Sequence, residues 1–276
     1  MTKQSNLSRY KVMFMSVLCL LVSCGSGTQD GASQPANVEN SSSSNLEVPA
    51  SIINAEEADF EVLLIGNSHS AGQNFPAILA TLIEAGTGKT VNAFVTSEWA
   101  YLSERSRVDG PTLALVESRD WSHVVLQAQK YSTTGTNTYS TSAAEEWVEI
   151  VHEHNAVPVM YPEHPRKNNA EEGQRIYNLH VSIAQAAGAC VAPVGPAWDI
   201  AAEWYPEMNL YHSDGNHFNL TGAFLSALIF YEVITGLPAD DIPLVSEIDI
   251  NEHMQLQLKQ LVNDTIMLYA PCDYMP

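Results

Sequence analysis

The sequence predicts an α/β fold in which a parallel sheet is covered by helices on both faces. From residue 60 onwards, short apolar runs alternate with segments whose apolar residues recur at helical spacing. The first run, residues 61–65, is apolar after its first position, which is typical of a strand buried on both faces. Strands that alternate with helices along a chain form parallel sheets with helices on both sides.

Strands and helices are predicted to alternate along most of the chain. Apolar runs predict strands at 61–65, 91–95, 124–126, 157–161 and 190–194. Helical spacing predicts helices around 78–83, 144–151, 176–187, 219–235 and 254–268. Gly86 is the expected C-terminal cap of the first helix. Asn219 is the expected N-cap of the fourth, which Gly236 closes.

The N-terminus has the features of a secretory signal peptide, residues 1–23. Three basic residues before position 12 precede an apolar run, 12–22, that is too short to span a bilayer with ease. The run ends in Leu21-Val22-Ser23-Cys24, which resembles the lipobox of bacterial lipoproteins. This resemblance implies cleavage before Cys24, a lipid on that cysteine, and a location in the cell envelope on the periplasmic or cell-surface side. A plain signal peptide with an incidental cysteine is the alternative.

Residues 24–56 are predicted to form a disordered tether between the lipidated Cys24 and one domain at 57–276. They are rich in Ser, Gly, Asn, Gln and Pro and lack apolar periodicity. The domain retains Cys190 and Cys272. Export permits a disulfide between them, and two buried thiols are the alternative.

The charge balance limits the partners. A formal net charge of −20 repels the phosphates of nucleic acid, so no nucleic-acid partner is expected. The expected partners are a small-molecule or glycan substrate and the membrane, the latter through the lipid anchor. No cofactor is expected.

Two polar blocks lie where a parallel sheet places its ligand, beyond the C-terminal ends of the strands. Gly66-Asn67-Ser68-His69-Ser70 follows the first strand, and Asp214-Gly215-Asn216-His217 precedes the helix at 219. A serine nucleophile needs a base, and the base needs an acceptor that fixes its tautomer. Residues three apart can meet within one turn, so Asp214 can hold His217. The sequence therefore predicts a catalytic triad of Ser68, His217 and Asp214.

These blocks resemble those of the SGNH/GDSL hydrolases, which carry Gly-Asp/Asn-Ser after the first strand and Asp-x-x-His near the C-terminus. The resemblance covers residues 60 to about 236 in block order and spacing. It implies a flavodoxin-like three-layer α/β/α sandwich with a central, mainly parallel five-stranded sheet. It also implies a carboxylic ester hydrolase in which Ser68 is the nucleophile. The third block departs from Gly-x-Asn-Asp, because Gln127-Ala128-Gln129 stands there, as in a bacterial subgroup of unassigned function.

The resemblance implies an oxyanion hole, and the departures leave its donors to be assigned. The backbone N–H groups of Ser68 and Ala100 are expected donors, together with a side-chain amide from Gln127 or Gln129. Alternation along an extended segment would put both glutamines on the same side. Gln127 is favoured because it lies at the end of a strand. The alternative is that either glutamine only bonds loop backbone.

Aromatic residues near the predicted strand ends suit sugar rings and favour a carbohydrate acetyl ester as substrate. They are Trp99, Tyr101, Tyr131, Tyr161 and Tyr211. A lipid or acyl ester is one alternative, and a non-catalytic glycan-binding lipoprotein on the same fold is another.

A metal hydrolase is disfavoured. Its ligands would come from His152, His154, His164, His212, Asp214 and His217. His152 and His154 are two apart on a helix and point to different faces. No H-E-x-x-H or paired-cysteine motif occurs, so no metal is expected. His180 lies on an apolar helix face and is expected to be structural.

Overall fold

The structure, a computed structural model, describes residues 48–96 and 99–275. The predicted signal peptide, the lipid site at Cys24 and most of the predicted tether lie outside the described residues. None of the helices in the described ranges is long and apolar enough to cross a membrane.

Within the described residues, five parallel strands form one sheet in the order β2-β1-β3-β4-β5. The strands are β1 (Phe60–Ile65), β2 (Val91–Val95), β3 (His123–Leu126), β4 (Val157–Met160) and β5 (Cys190–Val191). This is the flavodoxin-like order, and it confirms the predicted fold class. Because the strand order reverses between β1 and β3, the crevice that binds ligands in such folds opens beyond the ends of these two strands.

Helices cover both faces of the sheet. In chain order they are α1 (Ala50–Ile53), α2 (Ser68–Ala71), α3 (Phe75–Thr87), α4 (Pro111–Val116), α5 (Ser142–Glu153), α6 (Glu172–Ala187), α7 (Val194–Trp204), α8 (Leu220–Thr235) and α9 (Glu252–Leu268). Alternate residues of β1 enter two separate cores. Val62 and Leu64 pack with α3, α7, α8 and α9, whereas Leu63 and Ile65 pack with α4, α5 and α6. The buried run in β1 therefore reflects a strand enclosed on both faces.

Two details differ from the sequence expectations. The first long helix, α3, ends at Gly88 with a φ of 69°, and Gly86 lies inside the helix against the ring of Tyr231. A left-handed C-terminal residue is the usual end of a helix, and Gly88 meets that need two residues later than predicted. Strand β5 is two residues long, and α7 follows it where no helix was predicted.

The N-terminal boundary of the domain lies before residue 57. Ile52 in α1 is 4% exposed and belongs to the core that contains α4 and α5. Arg119 donates hydrogen bonds to the carbonyls of Ile52 (2.7 Å) and Ala55 (3.0 Å). The described part of the predicted tether, from Val48 onwards, thus packs on the domain, because one apolar side chain and an arginine fix it there.

A disulfide joins Cys190 in β5 to Cys272 after α9. Of the two alternatives left open for these cysteines, the structure shows the disulfide. Next to it, the N–H of Val191 donates to the carbonyl of Pro271 at 2.7 Å. The end of the chain is therefore tied to the edge strand by a covalent bond and a hydrogen bond.

Candidate active site

Ser68 lies directly beyond the C-terminal end of β1, at the point where the strand order reverses. Asn67 caps the short helix α2, because its Oδ1 accepts a hydrogen bond from the N–H of His69 at 3.1 Å. Ser68 is the first residue of α2, where backbone N–H groups have no partner within the helix. The turn therefore presents both the hydroxyl and the N–H of Ser68 at the crevice.

A closed loop holds His217 opposite Ser68. The loop is closed by an antiparallel bridge between Tyr211 and Phe218. Asp214 Oδ1 accepts hydrogen bonds from the N–H groups of Asn216 (2.8 Å) and His217 (2.9 Å). Gly215 has a φ of 69°, a conformation that glycine adopts without strain. Asp214 thus orders the loop with Oδ1, while its Oδ2 faces the imidazoles of His217 and His212.

The three residues of the predicted triad form a continuous hydrogen-bonded chain. Ser68 Oγ and His217 Nε2 are 2.8 Å apart, and His217 Nδ1 and Asp214 Oδ2 are also 2.8 Å apart. The backbone N–H of His217, and then its side chain, hold the pKa of Asp214 well below its ordinary value, so this carboxyl is ionised. An ionised Oδ2 accepts from Nδ1–H, which leaves Nε2 free to accept the hydroxyl proton of Ser68.

A second histidine packs against His217. The ring of His69 stacks on that of His217, with centroids 4.9 Å apart and planes at 20°. His69 is buried, and burial lowers its pKa. The stacked neighbour therefore carries no charge at neutral pH and does not repel a protonated His217. The ring of His69 is thus a packing neighbour of His217.

Two further histidines considered as metal ligands, His164 and His212, lie near the site, and His180, expected to be structural, lies on α6. His164 stacks on Trp198 with centroids 4.0 Å apart, and burial lowers its pKa to about 3. His180 is buried on α6, where its Nδ1 bonds the carbonyl of Ile176. His212 Nδ1 lies 3.3 Å from Asp214 Oδ2. Across 48–96 and 99–275, no group of three or more His, Cys, Asp or Glu side chains is placed to hold a metal ion.

The two glutamines do not share one side of an extended segment. Ala128 between them has a φ of 73°, so the alternation on which that expectation depended is broken. Gln129 Nε2 donates both of its hydrogens, to the carbonyls of Lys130 (2.9 Å) and Ser140 (3.0 Å). The alternative, that this glutamine bonds loop backbone, describes it correctly.

Gln127 has the opposite orientation from an oxyanion donor. Its Oε1 faces the turn that carries Ser68 and accepts from the N–H of Asn67 at 2.7 Å. Its Nε2 points away and donates to Glu163. The prediction that this amide donates toward the nucleophile is therefore wrong, because an acidic partner after β4 takes the donor end.

A buried arginine that the sequence analysis did not single out links two loops at the site. Arg105 Nη2 donates to the carbonyls of Gly66 (2.7 Å) and Ala100 (3.2 Å). These bonds tie the loop after β1 to the loop after β2. The signal that could have found it is a basic residue close to a strand end in an acidic chain. The role of the Ala100 N–H as an oxyanion donor stays a prediction.

Two cavities adjoin Ser68 and His217. The first, of about 500 Å³, has mostly polar and aromatic walls. Beyond Ser68 and His217, its lining residues are Asn67, His69, Tyr101, Lys130, Tyr131, Thr133, Tyr139, Glu163, Arg166 and Asn216. The second, of about 460 Å³, has mostly apolar walls that include Ala71, Trp99 and Phe218. Ser68 thus lies between a polar and an apolar space.

The aromatic residues proposed to face sugar rings lie in three different places. Trp99, Tyr101 and Tyr131 line the cavities beside Ser68. Tyr161 is fully buried, and its hydroxyl donates to the carbonyl of His69 at 3.3 Å, so it supports α2 from below. Tyr211 borders a third cavity next to Trp198. Tyr161 therefore cannot contact a ligand, because it follows β4 on the core side.

Comparison with known proteins shows similarity to SGNH hydrolase structures at low identity. A candidate SGNH hydrolase from Slackia heliotrinireducens is 23% identical, with a TM-score of 0.51 over 63% of this chain and 97% of the other. A DUF4886 family protein from Bacteroides uniformis is 15% identical, with a TM-score of 0.59 over 76% of this chain and 95% of the other. At these identities the likeness concerns the fold. No protein-family model and no curated protein matches the sequence.

Proposed function

We propose that this protein is a serine esterase that hydrolyses a carboxylic ester with a triad of Ser68, His217 and Asp214. The observation that carries the proposal is the hydrogen-bonded chain from Ser68 Oγ through His217 to Asp214, with 2.8 Å at each link. Its position at the reversal of strand order, beside two cavities, is where this fold binds ligands.

The reaction follows from the protons that this chain can move. Ser68 Oγ attacks the ester carbonyl while His217 Nε2 takes its proton, and Asp214 stabilises the resulting imidazolium. The negative charge on the carbonyl oxygen is met by the N–H of Ser68 and, we propose, by that of Ala100. His217 then gives its proton to the leaving alcohol. Water, deprotonated by His217 in turn, releases the acyl group and restores Ser68.

The walls of the two cavities favour a carbohydrate acetyl ester over a long-chain lipid ester. Tyr101 and Tyr131 offer ring faces and hydroxyl groups beside charged side chains, a combination suited to a polyhydroxylated alcohol. The space between Trp99 and Phe218 is apolar and suited to a short acyl group. We therefore propose that the sugar binds in the first cavity and the acyl group in the second.

The envelope location predicted from the N-terminus completes the proposal, with Cys24 as the lipid attachment site. Exchange of Cys24→Ser should abolish incorporation of a fatty-acid probe into the protein in cells and leave the precursor uncleaved or release the protein. Absence of probe from the wild type would contradict the anchor without affecting the proposed esterase activity.

A panel of acetylated glycans and acyl esters tests the function. The purified protein should release acetate from acetylated oligosaccharides, and the Ser68→Ala variant should not. Faster turnover of long-chain acyl esters would replace the proposed substrate class while keeping the mechanism. Binding of the glycans by the wild type with no turnover of any ester would instead support the non-catalytic module.

A further inference from the structure

We propose that Gln127 and Glu163 form a positioning pair that fixes the turn on both sides of Ser68, through the backbone of Asn67 and the side chain of Ser70. This inference rests on the proposed esterase function. The pair does not touch the reacting atoms. It holds the turn from which Ser68 projects, and it replaces the donor role that the sequence suggested for Gln127.

The carbonyl end of Gln127 brackets the nucleophile. Oε1 accepts from the N–H of Asn67 at 2.7 Å and from the hydroxyl of Ser70 at 3.1 Å, which are the residues on either side of Ser68 and His69. Gln127 itself is fully buried, and its own N–H bonds the carbonyl of Ile65 at 2.8 Å. The rigid end of the sheet thereby fixes the turn.

Glu163 decides which end of the amide faces the turn. A backbone N–H can only donate and an ionised carboxylate can only accept, so a group between them must accept on one side and donate on the other. Gln127 Nε2 donates to Glu163 Oε1, which leaves Oε1 of the glutamine for Asn67. Glu163 is 9% exposed and receives a further bond from the hydroxyl of Tyr131 at 3.4 Å. Without Glu163, the side-chain amide of Gln127 could rotate and turn its NH₂ group toward the N–H of Asn67, where two donors would face each other.

The glycine at position 66 makes room for this contact. A β-carbon on Gly66 would lie 2.3 Å from Gln127 Oε1 and 2.1 Å from Ser70 Oγ, far inside contact distance. The close approach of the amide to the turn thus depends on the absence of a side chain there. The consequence for catalysis is positional, since a displacement of about 1 Å at a reacting group can cost about 100-fold in rate.

An exchange of the two side chains tests the pair. Gln127→Glu places two carboxylates face to face and should lower kcat by about 10- to 100-fold with little change in KM, because the turn shifts while the cavities remain. Adding Glu163→Gln restores a hydrogen bond between the two side chains, because the amide at position 163 can now donate to the carboxylate at position 127. The double variant should therefore regain most of the lost kcat. A Gln127→Glu enzyme within twofold of the wild type, or a double variant no better than this single one, would overturn the proposal.

Gln255→Glu is the matched control for placing a carboxylate at a buried glutamine. Gln255 on α9 also bridges backbone groups, accepting from Val245 N–H and donating to the carbonyls of Val245 and Ile250. This variant should lower the melting temperature and leave the kcat of the folded protein unchanged. A loss of kcat equal to that of Gln127→Glu would show that the effect is general and not specific to the pair.

Amide hydrogen exchange tests the Gln127–Glu163 pair independently of the proposed esterase activity. The Asn67 amide should be protected in the wild type, exchange at least tenfold faster in Gln127→Glu, and regain protection in the double variant. If the wild type hydrolyses no ester, the proposed function fails while this readout still tests the pair. An Asn67 exchange rate that is the same in all three proteins would overturn the pair, whatever the activity.

Discussion

Ser68, His217 and Asp214 are single residues on which the proposed chemistry depends as a unit. Replacing Ser68→Ala or His217→Ala should each lower kcat by several powers of ten. The double replacement should cost hardly more than either alone, because one step needs both groups. Steady-state kinetics on a reactive ester measure this, with melting temperatures as the control for folding. Separate costs that multiply in the double variant would contradict a shared step.

The pH dependence of activity tests whether Asp214 stays ionised. The pKa of Asp214 is lowered, chiefly by the N–H of His217, so its carboxylate stays ionised as the solution becomes mildly acidic. The kcat/KM should therefore fall on acidification with the uptake of a single proton, because Asp214 takes up none and a protonated base cannot accept from Ser68. A pH–rate profile measures the slope, and a loss that required two protons would contradict this assignment.

The carboxylate can also be removed at constant pH. In Asp214→Asn the amide can still bond the loop N–H groups but no longer favours the Nδ1–H tautomer, so kcat should fall by up to about 10⁴-fold. An unchanged kcat in this variant would show that Asp214 only orders its loop.

At the residue scale, the hydrogen-bonded arrangement of Ser68, His217 and Asp214 could be predicted because the strand end, the spacing of Asp214 and His217, and the capped helix are all local patterns. The role of Gln127 could not. It depends on the left-handed backbone of Ala128 and on Glu163 across the sheet. Neither a single backbone angle nor a partner 36 residues away can be read from periodicity.

At the scale of elements, α6 and α7 pack through their backbones. A β-carbon on Gly195 would lie 2.5 Å from the carbonyl oxygen of Gly173. Gly195→Ala should therefore force the helices apart and destabilise the fold by about 1–3 kcal/mol, the usual cost of an overpacked core. Denaturant unfolding measures this. A stability within experimental error of the wild type would show that the contact relaxes freely.

The same two helices show where element prediction succeeds and where it does not. Helix α6 was predicted from a long apolar stripe, and the structure extends it only at its start. Helix α7 was missed because Pro193 and Pro196 frame its start and the segment is apolar enough to continue strand β5. Short apolar runs are compatible with either state until tertiary packing decides between them.

At the scale of the whole molecule, the disulfide Cys190–Cys272 closes a loop of 82 residues. Because a cross-link of this kind restricts the unfolded chain, Cys272→Ser should destabilise the protein by about 2–5 kcal/mol. Thermal unfolding with and without reductant provides the measurement. Reductant should lower the melting temperature of the wild type and leave that of the variant unchanged. A wild-type melting temperature that is insensitive to complete reduction would contradict a stabilising role.

The layered architecture was predictable as a whole, since strand–helix alternation leaves few arrangements for a chain of this length. The start of the domain was not predictable. The segment before residue 57 has a loop-like composition, and yet one isoleucine, Ile52, reaches the core. A single buried anchor is too weak a signal to separate a packed segment from a tether by composition.

The most direct test of the proposed triad is covalent labelling of Ser68 by a reactive phosphonate ester. Peptide mass spectrometry then locates the adduct. This probe needs no knowledge of the natural substrate, because it reports only whether a serine is activated as a nucleophile. We expect one adduct, on Ser68, in the wild type, and its loss in His217→Ala at unchanged melting temperature. Labelling of a different serine, no labelling of the folded wild type, or equal labelling in His217→Ala would contradict the proposed triad.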